Sequence, residues 1–381
     1  MNFLFVLMEI PKRFLMPPHF FQGIGSISAI LKRDGIHTDL LRVGDIIPEE
    51  IDQKLIDFKP DIIGISSMSC FAYKIPKVIQ HIRQQFKGPI ILGGVHATVA
   101  PEMAIEIPDL FGIVIGDGEL PLQEFVNCMN HNGNYKQIRS FWFRDKDKII
   151  RNQIQSKAED LDSLPFPDRE LFDYDNLLAE NPVAEFMCSR GCPFQCSYCI
   201  NTKLNELHKG KGKPVRYRSI ENIITEIKEV ASKYPRVNQI EFHDDTFTLR
   251  KEWLTEFCRT YKREICLPFA CNVRPGTIDD TIPLLLKEAN CTEVRIGIEA
   301  GNDFIRNNIL KRNLSKEDII KDFKKFKDVG IRTWAFNMIG IPYETVSMIE
   351  ETINLNKLVY PDFAQVSIFV PYPGTETRRI C

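Results

Sequence analysis

Net charge, long apolar runs and evenly paired cysteines are all scarce in this sequence of 381 residues. The net charge of −2 provides no overall basic field, which excludes a nucleic-acid partner held by general electrostatics. No apolar run approaches the roughly 18 residues of a membrane span, and residues 3–8 lack the preceding basic residues of a signal peptide. The 11 cysteines are odd in number and disfavour disulfides. We therefore predict a cytoplasmic protein with reduced thiols and no membrane span.

Several common binding motifs are also missing. No P-loop string occurs, and Gly23 and Gly25 lack the third glycine of a dinucleotide site. The hydrophobic content of 44% and charged content of 26% are ordinary for a globular protein. The length predicts two domains.

Three closely spaced cysteines, Cys192, Cys196 and Cys199, lie in a loop broken by glycine and proline. Thiolates are soft ligands suited to iron–sulfur chemistry, and three of them on a four-iron cluster leave one iron open. Structural zinc needs a fourth ligand, which Cys188 supplies only if it turns away from an apolar strand. A haem attachment needs histidine where Ile200 stands, and the bacterial ferredoxin run has a different spacing. The pattern favours a 4Fe-4S cluster.

This loop resembles the radical S-adenosylmethionine superfamily, whose signature is Cys-x3-Cys-x2-Cys with an aromatic residue before the last cysteine, here Tyr198. The resemblance covers residues 183–381. It implies that S-adenosylmethionine chelates the open iron and that the reduced cluster cleaves it to a 5′-deoxyadenosyl radical. It also implies that Cys192, Cys196 and Cys199 are the metal ligands and catalytic residues.

Residues 1–130 alternate short apolar runs with helical-period segments, which predicts a doubly wound parallel sheet of the α/β class. The predicted strands are residues 3–8, 38–43, 61–66, 89–92 and 112–115. Small polar residues and glycines follow the last three, where such sheets bind ligands. These residues are Ser66, Ser67, Gly93, Gly94, His96, Gly116, Gly118 and Glu119.

The strings at 93–102 and 116–119 resemble the cobalamin-binding domain that precedes a radical domain in one large subfamily, which implies that the residues after the strands contact cobalamin. Carriers that ligate cobalt through histidine use Asp-x-His-x-x-Gly after the first strand, and that string is absent. His19 lies in this loop with the wrong spacing. We therefore expect cobalt to be open on its lower face and His96 to be a loop or cofactor-edge residue. The alternative that the domain no longer binds a cofactor, and that its glycines only form turns, stays open.

Residues 131–182 are predicted to be a connector that contains a hairpin at 141–150. From 183 to 381, six strands separated by helices predict a partial (βα)6 barrel similar to a TIM barrel. The predicted strands are residues 186–188, 239–242, 268–271, 294–298, 333–339 and 364–370. Family members usually continue past the sixth strand with a region that shapes substrate access. Two alternatives stay open here: either the chain is a shortened form or the region is missing.

Polar residues follow these strands at their C-terminal ends, where barrel sites are built. Arg274 and Arg312 are suited to a bidentate contact with the carboxylate of S-adenosylmethionine. Asp244, Asn272 and Glu299 are suited to its ammonium group or ribose. The resemblance implies that the Tyr198 backbone edges the adenine. A surface ion pair is the alternative for each charged residue.

Three functions follow. The first is a cobalamin-dependent radical enzyme that methylates an unactivated carbon, or phosphorus, of a small-molecule, lipid or natural-product substrate. The second keeps both cofactors but catalyses oxidative cyclisation or rearrangement, as in the anaerobic magnesium-protoporphyrin ester cyclase that the sequence also resembles. The third is a non-catalytic iron–sulfur carrier or sensor. For the enzymes, the resemblance implies an electron donor such as flavodoxin or ferredoxin.

Overall fold

The computed structural model describes residues 1–11, 19–131, 133–146 and 148–381, and these form two sheets. The strands of the first sheet are β1 Asn2–Met8, β2 His37–Val43, β3 Ile62–Ser66, β4 Ile90–Gly93, β5 Gly112–Val114, β6 Phe141–Asp145 and β7 Lys148–Arg151. Their order is β2-β1-β3-β4-β5-β6-β7. The first five are parallel, whereas the hairpin of β6 and β7 adds antiparallel to β5. The hairpin of the connector therefore extends the first sheet.

Helices cover both faces of this sheet, as predicted for a doubly wound fold. They are α1 Gln22–Arg33, α2 Pro48–Phe58, α3 Ile75–Ile82, α4 Gly94–Val99, α5 Pro101–Ile105 and α6 Glu119–Asn130. Along β1, alternate side chains join different cores: Phe3 and Phe5 pack with α1 and α6, and Leu4 and Val6 pack with α2 and α3. A central parallel strand is buried on both faces, which explains its unbroken apolar sequence.

The second sheet has six parallel strands in sequence order, the expected form of an open partial barrel. They are β8 Val183–Phe186, β11 Gln239–Phe242, β12 Phe269–Val273, β13 Cys291–Glu299, β14 Arg332–Ile339 and β15 Phe363–Ile368. The helices are α7 Tyr174–Glu180, α8 Ile200–Leu207, α9 Ile220–Lys233, α10 Lys251–Glu264, α11 Ile282–Glu288, α12 Lys316–Asp328 and α13 Val346–Val359. A short ladder pairs β9 Ser189–Arg190 with β10 Arg216–Tyr217. Within the described ranges, no helix has both the length and the apolar character to cross a bilayer.

A buried arginine joins the two halves of the molecule, one built on the first sheet and the other on the second. The Arg169 guanidinium lies 5.0 Å from the ring centre of Phe20 and 4.6 Å from that of Phe186, and it donates to Glu226 at 2.6 Å. Phe20 belongs to the first half and Phe186 ends β8, so this contact fixes the first half against the strand that leads to the cysteine loop. The fully buried Glu226 carboxylate also accepts from Arg218. Removing one partner would strand a buried charge, which is strongly destabilising.

Candidate active site

The cysteine loop begins where β8 leaves the second sheet. The strand ends at Phe186, two residues earlier than the sequence predicted, because the Cys188 backbone bonds away from the ladder. Its N–H donates to Asp244 Oδ2 at 3.0 Å, and its carbonyl accepts from Arg218 N at 2.8 Å. Cys188 is fully buried beneath the loop, and no described contact directs it toward the three other cysteines.

The loop closes onto α8 through its own backbone. Cys199 N donates to Cys196 O at 3.1 Å, and Thr202 Oγ1 donates to the same carbonyl at 2.9 Å. Asn205 Nδ2 donates to Cys192 O at 2.8 Å, so side chains of α8 hold the backbone at the first and the second cysteine. Thr202 and Asn205 were not singled out in the sequence. Their one signal was that they lie within two turns of the last cysteine.

The three thiols lie in a sheltered environment. Burial raises the pKa of Cys192 and raises that of Cys199 to about 11, with the neighbouring thiols adding to the rise. In the described residues, no three Cys, His, Asp or Glu side chains are close enough to hold a single ion. Each thiolate of a 4Fe-4S cluster binds a different iron, so the three cysteine sulfurs need not converge on one point. The donor set therefore fits an iron–sulfur cluster, whose binding must displace the thiol protons.

Asp244 supports the loop from below. Its two carboxylate oxygens accept from Cys188 N and from the Ser189 hydroxyl, and Asn272 Nδ2 donates to its backbone carbonyl at 3.0 Å. Burial raises the pKa of Asp244 to about 6. This carboxylate was expected to serve the ammonium or ribose of S-adenosylmethionine. In the structure its oxygens are already engaged by the loop, so a role toward that ligand stays a prediction.

Asp245 was not among the site residues predicted from the sequence. Its carboxylate accepts from Asn201 and from the backbone of Gly191, and burial raises its pKa. Its charge also acts on Cys192 and Cys199, which places it beside the thiols. The signal was available, because Asp245 directly follows Asp244 at a strand end.

Tyr198, Glu299 and Arg312 form a triad at the end of β13, in which Arg312 is buried and the other two are partly buried. Arg312 Nη1 donates to the Tyr198 hydroxyl at 2.6 Å and to Glu299 Oε1 at 3.2 Å, and Nη2 donates to Gly297 O at 2.6 Å. Burial raises the pKa of Tyr198 well above its ordinary value, and the pKa of Glu299 also rises. Arg312 Nε is buried and has no hydrogen-bond partner among the described residues. The triad therefore offers a ligand one unused donor and a carboxylate held in a fixed place.

The Glu299 backbone adopts a left-handed conformation with φ +67°, which L residues rarely take. The pairing of β13 with β14 shifts register between Gly297 and Glu299. Such local strain is typical of functional sites. Here it turns the carboxylate toward Arg312.

Arg274 lies against the cysteines. Its guanidinium stacks on Phe194 with 3.9 Å to the ring centre, and Nη1 is 3.6 Å from Cys196 Sγ. It also donates to the carbonyl of Arg312. Arg274 therefore places a positive charge beside the Cys196 sulfur. Phe194 was not predicted, although it stands inside the cysteine triplet.

A second site lies at the C-terminal edge of the first sheet. A mostly apolar cavity of about 230 Å³ opens between the strands and helices α1 and α6. Its lining includes six of the residues that the sequence placed there, which are Ser66, Gly93, Gly94, Gly116, Gly118 and Glu119. Gly94 and Gly116 have φ of +83° and +86°, so a side chain at either position would be strained. A Cβ on Gly94 would also lie 3.0 Å from Ser67.

Ser67 and His96 do not line this cavity. Ser67 Oγ donates to Met68 O, and the buried His96 imidazole lies 3.3 Å from Ser69 Oγ. Burial lowers the pKa of His96. His19 turns toward the second sheet, where Nδ1 is 3.4 Å from Glu185. In the part of the chain that the structure describes, no histidine is among the residues lining the cavity.

Two ion pairs connect the cavity to the cysteine loop. Glu119 bonds Arg190 at 2.7 Å, and Asp117 bonds Arg216 at 3.0 Å. Both arginines belong to the short ladder that flanks the loop. His208, which follows α8, would lie 3.3 Å from a Cβ on Gly116. The two candidate sites therefore share a wall.

The segment 371–377 contacts both halves of the molecule. A Cβ on Gly374 would lie 2.4 Å from Val99 O in α4, so only glycine fits against that helix. Thr377 N donates to Ser197 O in the cysteine loop at 3.2 Å. Lys311 and Glu376 form a partly exposed ion pair beside it.

Comparisons with known proteins agree with this arrangement. A model of the radical SAM superfamily matches residues 186–355, and a model of the B12 binding domain matches residues 19–126. An uncharacterized methyltransferase of Pyrococcus horikoshii is 29% identical over 373 residues, which cover 92% of this chain and 79% of that protein. The anaerobic magnesium-protoporphyrin IX monomethyl ester cyclase of Rubrivivax gelatinosus is 26% identical over 371 residues, covering 93% of this chain and 64% of that protein.

Among solved structures, the radical S-adenosylmethionine methyltransferase TsrM from Kitasatospora setae, with cobalamin and a 4Fe-4S cluster bound, has a similar fold. The TM-score is 0.79 at 14% identity, and the match covers 98% of this chain and 73% of that one. This likeness extends over both sheets. It confirms the predicted order of a doubly wound sheet followed by a partial barrel.

Proposed function

Because the chain belongs to the radical S-adenosylmethionine enzymes that carry a B12-binding domain, we propose that it transfers a methyl group from S-adenosylmethionine through cobalamin to an unactivated carbon or phosphorus. One observation carries the proposal: the glycine-rimmed cavity of the first sheet and the cysteine loop of the second share a wall of ion-paired side chains. A methyl carrier and a radical source must face one substrate, and this arrangement supports that.

When bound, the cluster with S-adenosylmethionine supplies a radical that abstracts hydrogen, and cobalamin supplies the methyl group. The cofactors carry this chemistry, whereas the protein binds, orients and excludes water. Cys192, Cys196 and Cys199 would hold the cluster. Gly94 and Gly116 would let cobalamin approach the backbone closely.

The residues above the cluster would hold S-adenosylmethionine. Glu299 presents an acceptor suited to its ammonium group, and the unused Arg312 Nε is a donor suited to its carboxylate. Arg274 keeps positive charge beside Cys196 and would favour a ligated thiolate. The low exposure of the triad side chains lowers the local dielectric, which would strengthen the contacts of these charged groups with S-adenosylmethionine.

Product analysis under anaerobic conditions tests this function. Reconstituted, reduced protein is incubated with S-adenosylmethionine, hydroxocobalamin and a small library of aromatic, lipid and phosphorus-containing acceptors. Formation of both S-adenosylhomocysteine and 5′-deoxyadenosine, with a methylated product, supports methyl transfer. No cleavage of S-adenosylmethionine by the fully loaded protein would overturn the proposal and favour the iron–sulfur carrier.

An oxidative cyclase or rearrangement enzyme is the second candidate. It is favoured by the match to the Rubrivivax gelatinosus cyclase over 93% of this chain. The same assay separates the two functions, because this candidate yields 5′-deoxyadenosine without S-adenosylhomocysteine. Either enzyme needs a small-molecule substrate and an electron donor such as flavodoxin or ferredoxin.

A further inference from the structure

One of the largest fully buried side chains in the second half is an arginine. Arg306 has no solvent exposure and lies in the short π-helix Phe304–Ile309, which follows β13. Its one acidic partner among the described residues is Asp303, whose side chain is 73% exposed. Burying a guanidinium group is costly, and an exposed carboxylate offsets little of that cost. The position of Arg306 therefore needs another explanation.

Backbone carbonyls of two separate segments surround this guanidinium group. Arg306 Nη1 donates to Ala300 O at 3.0 Å and to Gly301 O at 2.9 Å, and Nε donates to Leu314 O at 3.0 Å. Ala300 and Gly301 follow the end of β13, whereas Leu314 ends the loop that carries Arg312. The backbone adds a further bond, from Arg312 N to Arg306 O at 3.0 Å. The planar guanidinium fork thus joins the strand end to this loop.

Both of the joined segments have a strained backbone. Glu299 has φ +67°, and Lys311 and Asn313, which stand on either side of Arg312, both have φ +52°. Residues other than glycine rarely adopt this left-handed conformation, and it persists only where the surrounding structure holds it. The carbonyls that Arg306 bonds lie one and two residues past Glu299 and one residue past Asn313. Arg306 is therefore placed to hold both strained segments.

The two segments carry the side chains proposed to hold S-adenosylmethionine. Glu299 ends β13, and Arg312 Nη1 reaches back from the loop to donate to Glu299 Oε1 at 3.2 Å. The π-helix also contacts the cysteine loop, where Ser197 N donates to Leu310 O at 3.1 Å. A change at Arg306 can therefore act on the binding of S-adenosylmethionine or on the cluster, and an experiment must measure both.

We infer that Arg306 is a positioning residue for S-adenosylmethionine, which fixes the end of β13 and the loop 310–314 at the spacing where Glu299 and Arg312 bind the ligand together. This inference rests on the proposed function for its ligand. Because Arg306 is fully buried, it touches neither the ligand nor the cluster and acts only through the two residues that it positions.

The test compares Arg306→Lys with the wild type, both as full chains with reconstituted, reduced clusters. A lysine keeps the charge but lacks the planar fork that reaches carbonyls of two segments. The KM for S-adenosylmethionine in the formation of 5′-deoxyadenosine should rise by about tenfold or more, because a small misplacement of binding groups is enough for such a loss. The rate per cluster at saturating S-adenosylmethionine should stay within about twofold of the wild-type rate, and the iron content should not change.

Asn307→Ala is the matched control in the same helix. Asn307 Nδ2 donates to Leu314 O at 2.9 Å, and its Oδ1 accepts from Leu314 N at 2.9 Å, but it has no described side-chain bond to the strand end. Arg306 still holds Leu314 in this variant. Asn307→Ala should therefore lower the midpoint of urea unfolding and leave the KM for S-adenosylmethionine unchanged.

Several results would overturn the inference. An equal rise of the KM in both variants would show that any loosening of the loop has this effect. An unchanged KM, or loss of the cluster, in Arg306→Lys would also contradict it. If Arg306→Lys does not fold, Arg306→Gln replaces it under the same criteria, and failure of both to fold would show a role in the core instead. If the wild type itself cleaves no S-adenosylmethionine, the proposed function fails, and the two failures are thus distinct.

Discussion

The two candidate sites are built from opposite materials. At the first sheet, the site is a cavity bordered by backbone, with Gly94 and Gly116 in conformations that favour glycine. Around the second sheet, it is made of side-chain chemistry, in which Arg312 and Arg274 bond to residues far apart in sequence. A side chain added at a glycine should therefore damage the first site, whereas the second site should be damaged by removing a thiol or a guanidinium group. The predictions below test this contrast.

The largest effect is expected where a metal ligand is lost. Cys196→Ala should abolish cleavage of S-adenosylmethionine, because two thiolates hold the cluster poorly and Arg274 loses its sulfur partner. Iron content, visible absorbance and 5′-deoxyadenosine are measured after reconstitution. Cys258→Ala, at a buried cysteine on α10, is the control and should keep the cluster. Cleavage at wild-type rate by Cys196→Ala would refute the ligand assignment.

Adding a methyl group should harm only the first site. Gly116→Ala forces a side chain into a left-handed conformation and against His208, and should weaken cobalamin binding by at least about tenfold. Gly35→Ala shares the positive φ, at +80°, but a Cβ there meets nothing within 4 Å. Both variants should lose similar stability, and only Gly116→Ala should lose cobalamin in a titration. Equal cobalamin affinity in the two variants would contradict the assignment.

Removing the guanidinium fork should harm only the second site. Arg312→Lys cannot bond Tyr198, Glu299 and Gly297 together, so the KM for S-adenosylmethionine should rise by about ten- to a hundredfold. The cluster spectrum should remain. Arg263→Lys, at an exposed arginine, is the control and should leave the KM unchanged. A loss of cluster in Arg312→Lys would instead assign the residue to folding of the loop.

The last prediction concerns pH and Asp244, and it acts on folding stability rather than on cofactor binding. Because its folded-state pKa, about 6, lies above the ordinary value, the folded protein holds this proton more tightly than the unfolded chain. The resulting stabilisation is present below pH about 4 and is lost as pH rises through 6, by up to about 3 kcal/mol. Asp244→Asn should flatten this part of the curve in urea unfolding of the apoprotein at pH 4.5 and 6.5. An unchanged slope would assign it to another group.

The sequence was a better guide to elements than to contacts. Strands such as β1 and β11 were predicted to within one residue, because their apolar runs are bounded by turns. The hairpin was predicted as well, but its pairing with β5 was not. Strand partners depend on which surfaces meet in the folded chain, and period and composition carry no information on that.

The candidate sites divide in the same way. The cysteines and glycines could be proposed as site residues from the sequence, because metal ligation needs thiols and close approach to the backbone needs glycine. The engagement of Asp244 by Cys188 was not readable, because 56 residues separate the two.

The segment 371–377 connects the two halves through contacts with Val99 of α4 and Ser197 of the cysteine loop. The fully buried Thr377 donates to Ser197 O in the cysteine loop from both its backbone N–H and its hydroxyl. The partly exposed ion pair of Glu376 with Lys311 adds about 1 kcal/mol or less. The tight fit of Gly374 on α4 adds shape but no further polar bond. Arg169 makes a separate contact between the halves, and its buried ion pair with Glu226 is costly to break. Loss of the segment 371–377 would therefore uncover the cysteine loop at Ser197 and leave the two halves joined.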